Sequence, residues 1–495
     1  MKKNYGFRRV AMAVVVPVMF FVALVSWGFA SPVGASPDDD YHLTSIWCAG
    51  GLDELCQAGG NASERTVPDV LLTSSGCFAF HPEASAACPA APVSTMSNTN
   101  RGNFVGSYPP VFYATMNVFA GADISTSVLL MRGFNALLYV GVVSALFFWL
   151  PRNRRAPLLW GSLVTVVPLG MFIIPSVNPS SWAVLSAATL WISLVAFFSV
   201  ASVRAQAGFG AIAGLATVMG AGSRSDSAVY AGIAVVVAII LTFKPTKNYL
   251  KLAILPAALL AVAVAFFFAS GQSGIVDPTS STGNSSLVSK LGLTIVNLVL
   301  LPGLWTGALG TTGLGWLDTA MPAAVWASTV AVFFAIVFWG FHRLTTRKGI
   351  VLTVVAVCLV VVPVYVLVKD GTMVGAGVQP RYIYPLMIMF AGLALLAFNR
   401  LDLSLSRLQL AIVAILLTVA NSFALHTNMR RYITGNDVLS LNLNSRIEWW
   451  WSLSVSPMTI WGIGSLSFAI AMIGVYLYSR RSVRQPVEPE AALVG

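Results

Sequence analysis

Apolar runs of about 18–22 residues recur along the whole chain, each long enough to cross about 30 Å of hydrocarbon. Two of them, Tyr230 to Phe243 and Val351 to Val368, carry no charge at all. Runs of this kind exclude a transmembrane β-barrel, whose strands alternate apolar and polar residues. They leave an all-α polytopic membrane protein, read as one membrane-embedded domain over residues 1–495. About twelve spans are expected: 10–30, 126–150, 157–175, 182–203, 206–222, 228–243, 252–269, 323–341, 350–368, 382–399, 409–425 and 458–478.

The spans place alternate loops on opposite sides, and charge tests the scheme. One side collects 19 of the 29 Lys and Arg, among them Lys2, Arg152, Arg155, Lys244, Arg347 and Arg480, with three of the 18 acids. By the positive-inside rule this side is cytoplasmic, so both termini lie inside. The formal charge of +11 therefore reads as a topology signal, and no nucleic-acid partner is expected. The first span follows Lys2, Lys3, Arg8 and Arg9, as in a secretory signal peptide, but its length favours an uncleaved helix.

Three outer segments hold the extramembrane mass: 32–125, 270–322 and 426–457. The first contains Cys48, Cys56, Cys77 and Cys88, an even set that points to two disulfides stapling the loop on an oxidising face. Four cysteines allow three connectivities, and sequence proximity favours Cys48–Cys56 with Cys77–Cys88. The second includes an amphipathic stretch, 287–301, that suits an interfacial helix. The third carries Trp449-Trp450-Trp451, typical of the headgroup zone. The tail 485–495 reads as disordered.

Against this background the run Pro37-Asp38-Asp39-Asp40-Tyr41-His42 stands out. Only 9% of the residues are charged, yet three carboxylates sit together at the edge of the first span. Keeping them at a bilayer edge is costly, which marks a functional site, although a solvated acidic turn is the simpler alternative. Further polar residues gather on the same side: Arg132 and Asn135, Asn178, Arg224 with Asp226, Asp318, and Arg381. Guanidiniums can bind a phosphate in fork geometry, and a carboxylate can take a proton from a hydroxyl. Tyr41, Trp47, Tyr108, Tyr113 and Trp316 are available to stack on a sugar or a lipid stem. Simpler roles stand beside these. Arg132 can serve helix packing, Arg381 can flank the interface, Asp318 can cap the helix after Pro322, and His42 can be structural. No Walker loop, HExxH or Gly-rich dinucleotide motif is present.

Taken together, these motifs resemble those of a bacterial family of predicted polytopic membrane proteins, itself similar to the GT-C superfamily of glycosyltransferases. The family pattern opens with Pro-Asp-Glu-x-x-His after the first helix, matched here by Pro37 to His42 with Asp39 in place of Glu. Tyr108-Pro109-Pro110 with Tyr113, Arg132 with Asn135, and Asn178-Pro179-Ser180 also correspond. So do Gly315-Trp316-Leu317-Asp318 with Pro322, and Gln379-Pro380-Arg381-Tyr382 with Tyr384-Pro385, where the family more often has Gly at 380. The resemblance implies a GT-C-like enzyme of the bacterial plasma membrane, active at the outer mouth of its helices. It implies a polyprenyl-phosphate sugar donor and a glycan, lipid or protein acceptor. Asp38 and Asp39 would be the catalytic carboxylates. Asp40, His42, Tyr108, Arg132, Asn178, Arg224, Asp226, Trp316, Asp318, Arg381 and Tyr382 would bind substrate. A divalent ion such as Mg or Mn on Asp38 and Asp39 is the one cofactor the pattern allows for. Two rival readings remain. A transporter or flippase of a lipid-linked sugar needs polar groups at mid-membrane depth, and a non-catalytic envelope-assembly protein needs neither Asp38 nor Arg381.

Overall fold

The computed structural model describes residues 2–89, 92–271, 287–397 and 405–482. The tail 485–495 and the polar stretch 272–286 lie outside these residues. Among the described residues, ten helical runs have the length and apolar content to cross a membrane. A shorter apolar run, Ala13–Phe29, sits within the first helix, Lys2–Phe29.

Two of the twelve expected spans take a different form. Residues 382–399 give a helix of 15 residues, Pro380–Ala394, too short to span 30 Å at 1.5 Å per residue. Residues 206–222 lie in the helix Val203–Ala221, whose glycines and polar residues dilute its apolar content. It is not among the ten.

The stretch 287–301 forms the helix Leu287–Leu300, with Leu291, Ile295 and Val299 exposed, and leads into an apolar run, Ser289–Thr311, whose later part enters the bundle. The Asn297 side chain bridges Thr372 O and Val374 N at 3.0 and 2.9 Å, at the end of the bundle where the disulfides lie. Two turns further on, Trp305 Nε1 donates to Leu359 O at 3.3 Å, midway along the helix Thr346–Lys369. Gly310 then takes a φ of 106° and the chain turns back. Leu314 and Thr319 pair in an antiparallel bridge, and Trp316 Nε1 donates to Gly34 O at 2.9 Å. The segment therefore enters and leaves at one end. Its irregular turn, Gly307 to Gly310, is buried in protein, the setting in which non-helical backbone is tolerated at membrane depth.

The helix Ser180–Phe197 is buried along its whole length, as an all-round apolar sequence rich in Ala and Ser requires. Small residues let its neighbours approach. A Cβ on Gly161 would stand 2.6 Å from Gly392 Cα, so the helices Arg152–Thr165 and Pro380–Ala394 touch backbone to backbone.

The loop 32–125 carries the expected disulfides, Cys48–Cys56 and Cys77–Cys88. It also forms a small antiparallel sheet in the order Gln57–Ala58, Arg65–Pro68, Met96–Thr99, an addition to the all-α reading. The loop packs on the end of the helix Arg407–Ile433, where Ala86 N donates to Tyr432 O at 2.8 Å.

The Gly161 contact yields a test. Gly161→Val forces the two helices apart and destabilises by about 1–3 kcal/mol, the usual cost of overpacking. Thermal unfolding of the detergent-solubilised chain should show a lower Tm, with Gly161→Ala falling between.

Candidate functional site

The site begins at the corner after the first helix. Asp38 takes a left-handed backbone, φ 60° and ψ 24°, that Asp tolerates better than most residues. Its carbonyl starts the helix Asp39–Trp47 by accepting from His42 N, but its side chain makes no capping bond. The carboxylate turns outward to two arginines. Arg381 Nη2 reaches Oδ2 at 2.5 Å and Arg101 Nη2 reaches Oδ1 at 3.2 Å. Burial alone would raise the Asp38 pKa, but Arg381 first, then Arg101, bring it below the ordinary value. Arg101 also takes Asp40, at 2.7 Å from Nε to Oδ2.

Arg381 is buried at the start of the helix Pro380–Ala394 and donates a second bond to Pro37 O at 3.1 Å. Asn178 Nδ2 donates to the same carbonyl at 2.9 Å. Next to Arg381, the ring of Tyr382 is shared by two guanidiniums: Arg381 at 5.0 Å and Arg224 at 4.9 Å from its centroid. Arg224 is held in a fork by Asp226, at 2.9 and 2.8 Å, and also faces the Tyr108 ring at 5.9 Å. Asp38, Asp40, Arg224, Asp226, Arg381, Tyr108 and Tyr382 thus form one cluster at one end of the bundle.

Behind the carboxylates lies an aromatic wall. The His42 ring packs against Tyr41, Tyr108 and Tyr113 with centroids 5.6–6.0 Å away. Its Nδ1 bonds Tyr113 Oη at 2.9 Å, and burial pushes its pKa well down, so the ring is neutral. His42 Nε2, Asp39 Oδ1, Gln379 Oε1 and Arg381 Nε are buried without a protein partner. Native proteins rarely leave such groups unpaired, so these atoms mark where water or a polar ligand belongs.

Several sequence-based expectations place differently. Asp39 turns inward. Its Oδ2 accepts from Ser36 N at 3.0 Å, and burial raises its pKa to about 7 despite Arg132. It does not face the cluster beside Asp38. Arg132 donates to Gly28 O, Ser31 O and Pro32 O at 2.6–2.8 Å, closing the carbonyl end of the first helix. Its guanidinium is committed there, not at the site. Asn178 acts on the Pro37 backbone. Asp318 neither caps the helix after Pro322 nor meets Asp38. It forms a buried ion pair with Arg431 at 2.8 Å and accepts from Phe80 N at 3.1 Å. Trp316 is likewise spent on Gly34 O, and Trp47 on Gly121 O. Among the described residues no three His, Cys, Asp or Glu form a metal-ligating group. With Asp38 taken by two guanidiniums and Asp39 facing away, the pair does not fit the divalent ion expected there.

Arg101 and Arg431 were not singled out from the sequence. Arg101 is one of two arginines in a loop rich in acids, a signal that charge complementarity to Asp38 and Asp40 makes readable. Arg431 sits beside Arg430 in the last turn of a helix, where a basic residue looks like an ordinary flank.

The model of a family described as predicted membrane protein (DUF2142) matches residues 20–390, which include every residue of the cluster. No curated protein and no solved structure matches the chain.

Two predictions follow from the placement of the acids. Asp39 has a folded pKa of about 7 against 3.8 unfolded, so between those values the folded chain holds the proton more tightly. Stability should therefore fall as pH rises from about 4 to 7. Asp39→Asn keeps the shape and removes the titration. Its Tm should exceed that of the parent increasingly from about pH 4 to 7 and by a constant margin above that, and parallel Tm curves would refute the assignment. Separately, Asp318→Asn leaves Arg431 charged and buried, at a cost of about 3–5 kcal/mol. The double change with Arg431→Met should recover part of that loss in the same unfolding assay.

Proposed function

We propose that this chain, which belongs to the predicted membrane protein family DUF2142, is a glycosyltransferase working at the disulfide-bearing mouth of its helices. It moves a sugar from a polyprenyl-phosphate donor to an envelope glycan, a lipid-linked glycan or a protein. The mouth faces the outside of a bacterial plasma membrane, with both termini cytoplasmic.

One observation carries this reading: Asp38, Arg381 and Arg224 converge around the Tyr382 ring at the edge of an apolar bundle. The two guanidiniums are no more than about 10 Å apart, since each is within 5.0 Å of the ring centre. A phosphate held between them can keep its prenyl stem in the lipid. The aromatic wall of Tyr41 and Tyr108 offers stacking faces for a sugar. Charges gathered at one end favour a reaction at a membrane surface over passage through it.

In the reaction, the acceptor hydroxyl attacks the anomeric carbon from the face opposite the phosphate. The new C–O bond forms as the bond from that carbon to the phosphate oxygen breaks. The hydroxyl proton passes to Asp38 and then to water. The leaving polyprenyl phosphate gains one negative charge, which Arg381 and Arg224 stabilise. At rest Arg381 keeps Asp38 ionised. A donor phosphate competes for Arg381, and the freed carboxylate becomes more basic as the donor seats. Asp39 and His42, both buried, position the helix that bears Asp38 and take no proton.

Reconstituted with polyprenyl-phosphate sugars, Asp38→Asn should lower kcat by about 10²–10⁴-fold, the usual contribution of a general base. Arg381→Lys keeps the charge and loses the fork, so it should raise the donor KM and lower kcat together. Unchanged turnover in Asp38→Asn would sink the assignment. Movement of a lipid-linked sugar across proteoliposomes without transfer would favour a flippase.

A further inference from the structure

At the opposite, basic end of the bundle a cavity of about 340 Å³ opens between the helices Lys2–Phe29, Ile124–Trp149, Arg152–Thr165 and Pro457–Ser482. Its walls are mainly apolar, with Val16, Val140, Val143, Leu159 and Val475 among them. Two of the polar groups that line it are engaged with each other or with backbone: Ser162 Oγ donates to Leu158 O at 2.9 Å, and Tyr139 faces Ser162. The cavity runs from Arg152 at the mouth to Val166. Fourteen residues of helix rise about 21 Å, so it reaches about halfway through the membrane.

The mouth carries Arg152 and Arg155. Arg155 closes the end of the preceding helix through Leu150 O and Phe148 O, at 2.9 and 2.8 Å, and stacks on Phe147 at 5.3 Å. Arg152 is exposed. Among the described residues no carboxylate pairs with either guanidinium. An apolar slot half a bilayer deep, rimmed by two cations with no counter-charge among the described residues, has the shape and polarity of an anionic lipid.

We propose that this cavity is a binding site for an anionic phospholipid, with one acyl chain between the four helices and the phosphate at Arg152 and Arg155. Basic pockets between helices hold anionic headgroups in this way. The site lies at the other end of the bundle from Asp38 and does not depend on the reaction proposed there.

Native mass spectrometry of the full chain tests it, with equal amounts of dioleoyl phosphatidylglycerol and dioleoyl phosphatidylcholine in the micelle. The intact chain should retain the glycerol lipid about tenfold better, as two guanidiniums near a headgroup allow. Arg152→Gln should reduce that preference several-fold, and Arg152→Gln with Arg155→Gln should abolish it. Ser144→Trp fills the slot and should remove retention of both lipids, with thermal unfolding to show that each variant is folded. Equal retention of the two lipids by the intact chain would overturn the proposal. So would an unchanged preference in folded Arg152→Gln, or preferential retention of added polyprenyl phosphate.

Discussion

The contact between Arg381 and the Pro37–Asp38 corner organises this molecule. A guanidinium buried at a helix start needs partners, because an unpaired charge out of water costs several kcal/mol. Arg381 finds them 344 and 343 residues back, in a carbonyl and a carboxylate. Asn178 adds a third segment to the same carbonyl. The corner after the first helix, the turn before the buried helix Ser180–Phe197, and the helix Pro380–Ala394 therefore meet at one peptide group. That junction fixes the left-handed backbone of Asp38, and the backbone aims the carboxylate outward rather than onto its own helix. A preorganised acid at a membrane edge is thus a consequence of how three distant segments are joined.

The bilayer explains what the remaining arginines do. With no water to satisfy carbonyls at helix ends, long donors are recruited to them. Arg132 closes the first helix, and Arg154 reaches Val195 O at 2.8 Å. Arg431 gathers the carbonyls of Phe78 and Ala84 as well as Asp318, and so locks the disulfide loop to the bundle. In a soluble protein each would be a candidate ligand-binding cation. At the Asp38 end the guanidiniums that line the cluster are those whose partners are carboxylates open to exchange with an incoming anion. By that criterion Arg381, Arg224 and Arg101 belong together.

Much of this was legible from residue order. Helix positions follow from apolar runs, the disulfides from cysteine spacing, and the common end of Asp38, Arg224 and Arg381 from alternating loops. What escaped has physical causes. Ser289–Thr311 has the composition of a span and the path of a hairpin, and only the Gly310 turn and the Trp305 contact separate the two. Arg132 and Asn178 share the polarity of site residues, but their targets are backbone carbonyls, which every sequence position supplies. Arg101 lies in a loop with no periodicity to give its direction.

The neighbouring acids Asp38 and Asp39 show how far apart adjacent carboxyls can be driven. They are successive residues at a helix start, so their side chains leave in different directions. One meets two guanidiniums and stays ionised. The other meets a single backbone amide in a buried pocket and holds its proton to about pH 7. Divergent environments of this kind separate acid–base roles within a site. Two negative charges side by side would also repel, and keeping Asp39 neutral removes that penalty from the ionised state of Asp38. The inward acid thereby supports the ionised state of the outward one. This accounts for a cluster that looks redundant in sequence while exposing a single carboxylate, Asp38, to Arg381.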